Sequence, residues 1–330
     1  YDSYRSYLKE RWKNFETLKL TTPEGFENKY KRLLATGFTG KLKERRVKEV
    51  RSIRLYFQSY GLAPLTPRLV VPFDNRFLDG RGAHLPVLQE IGDALTTIAW
   101  DSFVALSPKK MEELGVRKNQ VVQLTTEQGS LELAAYPLPG LHKDSVVVSR
   151  GNGHTDKRST ISYQNGHNPL QLLGGTQESL SLQPLTQGQE VKITPLKKWY
   201  RLAAMQKNSD LNDRKDIVKE YSVAELAKLK NDQNLDDVPD LYPKMEKNPH
   251  SPYRWGMAID LDKCNGCGAC TTACTIENNI PQVGRDQILL GREMHWIRRD
   301  RYFSGTLEDP KVTFQPVMCQ HCNHAPCESV

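Results

Sequence analysis

All seven cysteines of this 330-residue chain lie between Cys264 and Cys327. Cys264, Cys267, Cys270 and Cys274 follow the spacing C-x2-C-x2-C-x3-C. That spacing suits thiolates wrapped around a 4Fe-4S cube, with three close sulfurs on one cluster and the fourth reaching another. A cube needs one thiolate per iron, and the two-residue gaps let a tight loop present successive sulfurs to three corners. Gly266 and Gly268 supply backbone freedom for such a loop, while small Ala269, Thr271 and Ala273 leave the approach uncrowded. Backbone N–H groups aimed inward stabilise the anionic cluster.

Cys319, Cys322 and Cys327 form a second run, C-x2-C-x4-C, in which Pro326 fixes the turn into the third thiolate. A further cysteine directly after Val330, followed by proline, is expected to complete it. Zinc also takes C-x2-C pairs, but four thiolates within eleven residues would be strained around one tetrahedral ion. A disulfide framework lacks the even pairing it needs. His321 and His324 lie among the second run and are read as neighbours of the cluster rather than ligands, because a Rieske-type centre needs two Cys and two His on separate loops. No C-x-x-C-H occurs, which excludes covalent c-type haem from these residues.

The segments WGMAIDL, EMHWIRRDRYF and VTFQPVM read as strands alternating with the cysteine runs. Arg298, Arg299 and Arg301 could raise the potential of a nearby cluster but are read as exposed surface residues. Upstream, from Trp100 to about Lys197, short strands and turns dominate: SFVALS, a small helix in PKKMEELG, then NQVVQLTTEQGSLELAAYPLPG, DSVVVSRGNG and EVKITPL. Alternation through Val121, Gln123 and Thr125, with Gly129 in the following turn, predicts hairpins of a compact barrel. Residues 198–250 are polar and poor in large aliphatics, as in a linker or an arm. Within them Ser222 is the expected N-cap of a short helix, with Glu225 three residues on. Residues 1 to about 60 read as helical, with an amphipathic run from Leu42 to Gly61 placing Val47, Val50, Ile53, Leu55 and Phe57 at roughly helical spacing.

Composition narrows the function classes. The 46 basic and 39 acidic residues give +7, but basic and acidic residues are mixed as on solvated faces, and no nucleic-acid partner is expected. No stretch approaches the ~18 uninterrupted apolar residues of a membrane helix, so membrane contact is expected to pass through a partner. The chain starts at Tyr1 without an export-like segment and stops inside a cysteine motif, the expectation for an internal piece of a longer polypeptide. No nucleophile-base pair or paired-carboxylate site offers independent catalysis.

The stretch MAIDLDKCNGCGACTTACTIENNIP, with GREMHWIRRDRYF and PVMCQHCNHAPCESV, resembles the four-cluster iron-sulfur subunits that accompany molybdopterin oxidoreductases. Within those it is most similar to the large subunit of alternative complex III, a bacterial quinol:cytochrome c oxidoreductase. WDSFVALS through NGHNPLQLL resembles the C-terminal barrel of molybdopterin enzymes. The resemblance implies an α+β fold: a segment at 1–99 packing on an upstream domain, a molybdopterin-dinucleotide-type β-barrel at 100–197, a linker at 198–250, and a ferredoxin-like domain at 251–330. It implies that Cys264, Cys267 and Cys270 share a cube with a cysteine beyond Val330, and that Cys274 serves the partner cluster. Cys319, Cys322 and Cys327 would hold another cube, and one cluster could be 3Fe-4S. Gly151, Gly153, His154, Gly166 and Asn168 sit where a pterin would be touched, but are read as turn residues, the resemblance implying a pterin-free fold.

The function implied is electron transfer from quinol, oxidised at an integral-membrane subunit, toward c-type cytochrome subunits. The setting implied is a hetero-oligomeric complex on the periplasmic face of the bacterial cytoplasmic membrane. The rival is the iron-sulfur part of a catalytic molybdenum or tungsten pterin oxidoreductase of the polysulfide or tetrathionate reductase type. A third reading is a purely structural subunit whose barrel serves as an assembly platform.

Overall fold

Proline and small-residue turns cut the middle of the chain into short strands. The computed structural model describes Asn28, Lys31, residues 66–175, 177, 183–209, 211, 214, 217–226 and 256–319. The chain divides into two compact units, Tyr1–Ala63 and Pro64–Val330, and every element named below belongs to the second. The amphipathic run around Val47, Val50, Ile53, Leu55 and Phe57 lies outside the described residues.

Seven strands form one sheet: β1 (Arg68–Val70), β2 (Phe103–Leu106), β3 (Gln120–Thr125), β4 (Ser130–Pro137), β5 (Ser145–Val147), β6 (Gln187–Glu190) and β7 (Lys192–Trp199), in the order β6-β1-β5-β2-β4-β3-β7. The β1–β5 and β2–β4 pairs are parallel and the other neighbours antiparallel. The two outer strands, β6 and β7, follow one another with only Val191 between them. Leu69, Val104, Leu106, Val122, Leu124, Leu133, Val146 and Val148 are buried in the main core. On β3 the residues entering that core are Val122 and Leu124, one position off the expected set of Val121, Gln123 and Thr125. Because side chains alternate between faces, a one-residue offset exchanges the inward and outward sets.

Two helices punctuate this region. α1 (Pro86–Glu90) and α2 (Pro108–Glu113) both begin with proline, whose fixed φ suits a first turn. Ser107 caps α2, its hydroxyl accepting from the Lys110 N–H at 3.1 Å. The loop glycines serve the backbone. At Gly153, where φ is +80°, a Cβ would collide with the Asn168 backbone, and Asn168 itself accepts the Leu170 N–H at 3.1 Å.

The chain after β7 remains packed: Leu202 and Ala203 are buried, and Ala204 bridges Ile98. α3 (Val223–Leu226) carries the expected capping box, with Ser222 N–H donating to Glu225 at 2.7 Å and Glu225 N–H donating to the Ser222 hydroxyl at 3.3 Å. Then come α4 (Ala269–Glu277), α5 (Arg285–Leu290) and the hairpin of β8 (Ile297–Gly305) with β9 (Pro310–Met318). The hairpin register runs from Ile297↔Met318 to Gly305↔Pro310. The described part of WGMAIDL is not a strand. Residues 256–260 are irregular and Leu261–Lys263 is a 3-10 turn, capped where the Asp260 carboxylate accepts the Asp262 N–H at 3.2 Å. The hairpin stays two-stranded, and the described part of this segment joins neither of its outer edges. Among the described residues no helix is long and apolar enough to cross a membrane.

Candidate iron-sulfur site

Cys264 ends the 3-10 turn, Cys267 sits in the loop behind it, and Cys270 and Cys274 stand four apart on α4. At that separation their side chains share a helix face. Cys264 and Cys274 are half-buried, and Cys267 and Cys270 are exposed. The loop turns at Gly266 (φ +69°) and Gly268 (φ +79°), in the left-handed region that glycine enters without penalty. Both glycines also make room for neighbours. A Cβ on Gly266 would collide with the Phe314 ring on β9, and one on Gly268 would lie 2.7 Å from the Arg299 guanidinium on β8. The hairpin thus forms the wall against which the cysteine loop is folded.

The donor set suits an anionic cluster. Gly268 is the N-cap of α4 and supplies no side-chain acceptor, so the first N–H groups of this nine-residue helix stay available beside Cys267 and Cys270. Thr271 Oγ1 and Arg299 Nε are buried there without a hydrogen-bond partner. The Asn278 amide donates to the Cys274 carbonyl at 2.9 Å and approaches its sulfur at 3.5 Å. Cys319 follows β9 and is exposed. Cys322, Cys327, His321 and His324 lie outside the described residues. Among the described residues no three Cys, His, Asp or Glu side chains converge as a single bound ion would require.

The arginines of β8 depart from the surface reading. Arg298 is exposed and pairs with Asp300 at 2.7 Å, as expected for a surface residue. Arg301 is only 1% exposed, and Arg299 is half-buried. Arg299 Nη1 donates to the Gly266 carbonyl at 2.7 Å, while Nη2 donates to Gly92 at 2.6 Å and Asp93 at 3.0 Å. Arg301 donates to the carbonyls of Leu95 and Thr96 and, at 3.0 Å, to the Tyr136 hydroxyl. Among the described residues neither forms an ion pair with a carboxylate. Burial pulls the pKa of Arg299 below the usual guanidinium range, with nearby Asp93, Cys267 and Cys270 acting the other way. The available signal was the period of two along β8, which puts Arg299 and Arg301 on one face.

Two buried carboxylates complete the seam between sheet and cysteine segment, and nothing in the sequence singled them out. Glu90, 1% exposed, accepts the N–H groups of Val283 at 2.8 Å and Gly284 at 2.9 Å, just ahead of α5, and the Trp100 indole at 3.2 Å. Asp101 accepts from Arg285 and from the Tyr200 hydroxyl, each at 2.7 Å, and from the Ala203 N–H at 2.7 Å. Burial, reinforced by Asp101, pushes the Tyr200 hydroxyl up to about 12. Ala99, Ala203 and Ile288 pack beneath these groups.

Residues 255–275, which include the first four cysteines, match the 4Fe-4S binding domain family. Curated relatives of the chain include iron-sulfur subunits of reductases. The arsenate respiratory reductase iron-sulfur subunit ArrB of a Shewanella species is 44% identical over 77 residues, 23% of this chain and 29% of that protein. The menaquinone reductase iron-sulfur cluster-binding subunit of Nitratidesulfovibrio vulgaris is 40% identical over 79 residues, 23% of this chain and 30% of the relative. A subunit of the tetrathionate reductase of Salmonella typhimurium is 37% identical over 86 residues, 26% of this chain and 31% of the relative. The chain thus spans about three tenths of the length of these relatives. The acetylene hydratase of Pelobacter acetylenicus superposes with a TM-score of 0.33 at 14% identity over 40% of this chain and 18% of that one, too slight a likeness to carry an argument.

Proposed function

We propose that the chain is the cluster-bearing, electron-transfer part of a hetero-oligomeric reductase whose catalytic centre is a molybdenum or tungsten pterin. The observation that carries this reading is the C-x2-C-x2-C-x3-C loop within a 4Fe-4S binding domain whose relatives include the iron-sulfur subunit of an arsenate reductase and a subunit of a tetrathionate reductase. Cys264, Cys267 and Cys270 hold three corners of one cube, and Cys274 reaches a neighbouring cluster. Cys319, Cys322 and Cys327 hold three corners of another, and one cluster of the set is 3Fe-4S. When bound, the clusters take up and release single electrons. The chain's own residues do the positioning: the hairpin walls the loop, the open N-terminus of α4 offers N–H groups to the anionic cube, and Glu90 and Asp101 tie the cysteine segment to the sheet.

The sheet, which takes β1 at Arg68–Val70 from ahead of the expected 100–197 bounds and runs to Trp199, is read as a barrel of the molybdopterin-dinucleotide-binding type, a reading supported by the direct succession of β6 and β7, which joins the two outer strands through Val191. The complex is placed against the periplasmic face of the cytoplasmic membrane through an integral-membrane quinone-reacting subunit. A second reading is quinol oxidation feeding c-type cytochrome subunits in a pterin-free complex; the menaquinone reductase relative shares with it only a quinone as redox partner.

Metal analysis of the purified complex containing the full-length chain separates the two. Abundant iron with near-stoichiometric molybdenum or tungsten is expected. Iron without either metal would transfer the proposal to the quinol:cytochrome reading, and absence of iron would refute both. In the same complex, C264S should lower iron by the equivalent of one cluster.

A further inference from the structure

A guanidinium taken out of water needs donors satisfied and charge offset. Arg299 meets the first need at both terminal nitrogens, through the backbone carbonyls of Gly266, Gly92 and Asp93, two of them within the sheet region and one inside the cysteine loop, while its Nε stays buried without a partner. The second need is only partly met among the described residues: Asp93 lies near enough to act on the charge, but no carboxylate forms an ion pair with it. Its neighbour Arg298, on the opposite face of β8, is neutralised by Asp300 in partial solvent. Arg299 cannot shed its proton at any ordinary pH, so its charge stays where the fold places it. That place is the Gly266 carbonyl, between Cys264 and Cys267, with Gly268 lacking the Cβ that would meet the guanidinium.

Resting on the cluster reading above, we propose that Arg299 is the positioning residue that sets the reduction potential of the cluster held by Cys264, Cys267 and Cys270, its fixed positive charge being the counter-ion of that anionic group. Reduction adds one electron, hence one negative charge, to the cluster. A fixed cation outside bulk water stabilises that added charge and raises the midpoint potential. The same side chain clamps the Gly92–Asp93 backbone to the cysteine loop, so the potential is tied to the docking of the loop on the sheet.

The test is an EPR-monitored redox titration of the full complex carrying R299Q, R299K or R298Q. R299Q is expected to lower the midpoint of one cluster by at least tenfold in the reduction equilibrium, 59 mV for a one-electron couple. R299K should stay closer to the parent, and R298Q should shift less than twofold. A midpoint within twofold of the parent in R299Q with its cluster signal intact overturns the proposal, as does an equal shift in R298Q. Should R299Q lose the signal, a parent-like midpoint in R299K supports the role of the charge, and loss of the signal in R299K as well overturns it. A parent complex without any cluster signal would refute the functional reading itself, which keeps the two failures apart.

Discussion

Replacing Glu90 should loosen the cysteine segment from the sheet without touching a thiolate. Its carboxylate sits 1% exposed and accepts three hydrogen bonds, from Val283 N–H, Gly284 N–H and the Trp100 indole. Hydrogen bonds to an ionised group contribute about 1.5–3 kcal/mol each, and they are not additive within one network. E90A removes all three and leaves two part-buried backbone donors ahead of α5 without a partner, for an expected loss of about 2–4 kcal/mol. E90Q keeps the shape but turns an amide NH2 toward an N–H donor, so about 2 kcal/mol is expected. Denaturant unfolding of the purified protein reads both as a lower midpoint at unchanged slope. Hydrogen exchange should show the Val283 and Gly284 amides losing protection before those of β3 and β4. An E90A protein within about 0.5 kcal/mol of the parent, a change typical of an unconstrained surface site, would refute the reasoning.

Three further outcomes follow from the same geometry. G266A combines a positive φ with a collision against Phe314, so it should destabilise the loop by about 1–3 kcal/mol and lower bound iron; adding F314A should recover only the steric part. Tyr200, held up to about 12, binds its proton more tightly folded than unfolded, so stability should fall as pH rises from about 10 through 12; an ultraviolet absorbance titration of Y200F against the parent should lack that late-ionising tyrosine. R301M should cost about 3 kcal/mol in chemical unfolding, because the Leu95 and Thr96 carbonyls and the Tyr136 hydroxyl lose a buried donor.

The parts legible in the sequence are those whose cause is local. Cysteine spacing, the Pro108 start of α2, the Ser222–Glu225 capping box and the hairpin around Gly129 each depend on residues within a few positions of one another. Glu90 was not legible because its partners Val283 and Gly284 lie more than 190 residues downstream, and a lone glutamate is ordinarily solvated. WGMAIDL has the alternation of a strand, but alternation reports a two-faced environment and not the presence of a ladder partner. Arg299 and Arg301 carried a visible period of two, yet arginine's usual place at the surface outweighed it. What decides their burial is the need of a distant irregular loop for donors.

That loop explains why the seam is built from arginine. Residues 91–98 run irregularly between α1 and β2; backbone N–H groups reach the Asp93, Thr97 and Ile98 carbonyls, while those of Ile91, Gly92, Leu95 and Thr96 accept from side chains. Backbone carbonyls withdrawn from water must be satisfied. Arg76 donates to Ile91 and Ile98, Arg299 to Gly92 and Asp93, and Arg301 to Leu95 and Thr96. Each guanidinium spans two carbonyls, which a lysine's single ammonium centre matches less well. Arg76 belongs to the sheet region and brings its own counter-ion, Asp74, at 2.7 Å. The other two come from the hairpin that walls the cysteine loop. If the hairpin withdrew, the carbonyls and the two guanidinium groups would all lose partners together, so separation of the cysteine segment from the sheet is opposed by a cooperative set of bonds. With the proposed clusters bound, a cysteine loop held this way would let the charge of the site change with little rearrangement of the atoms around it.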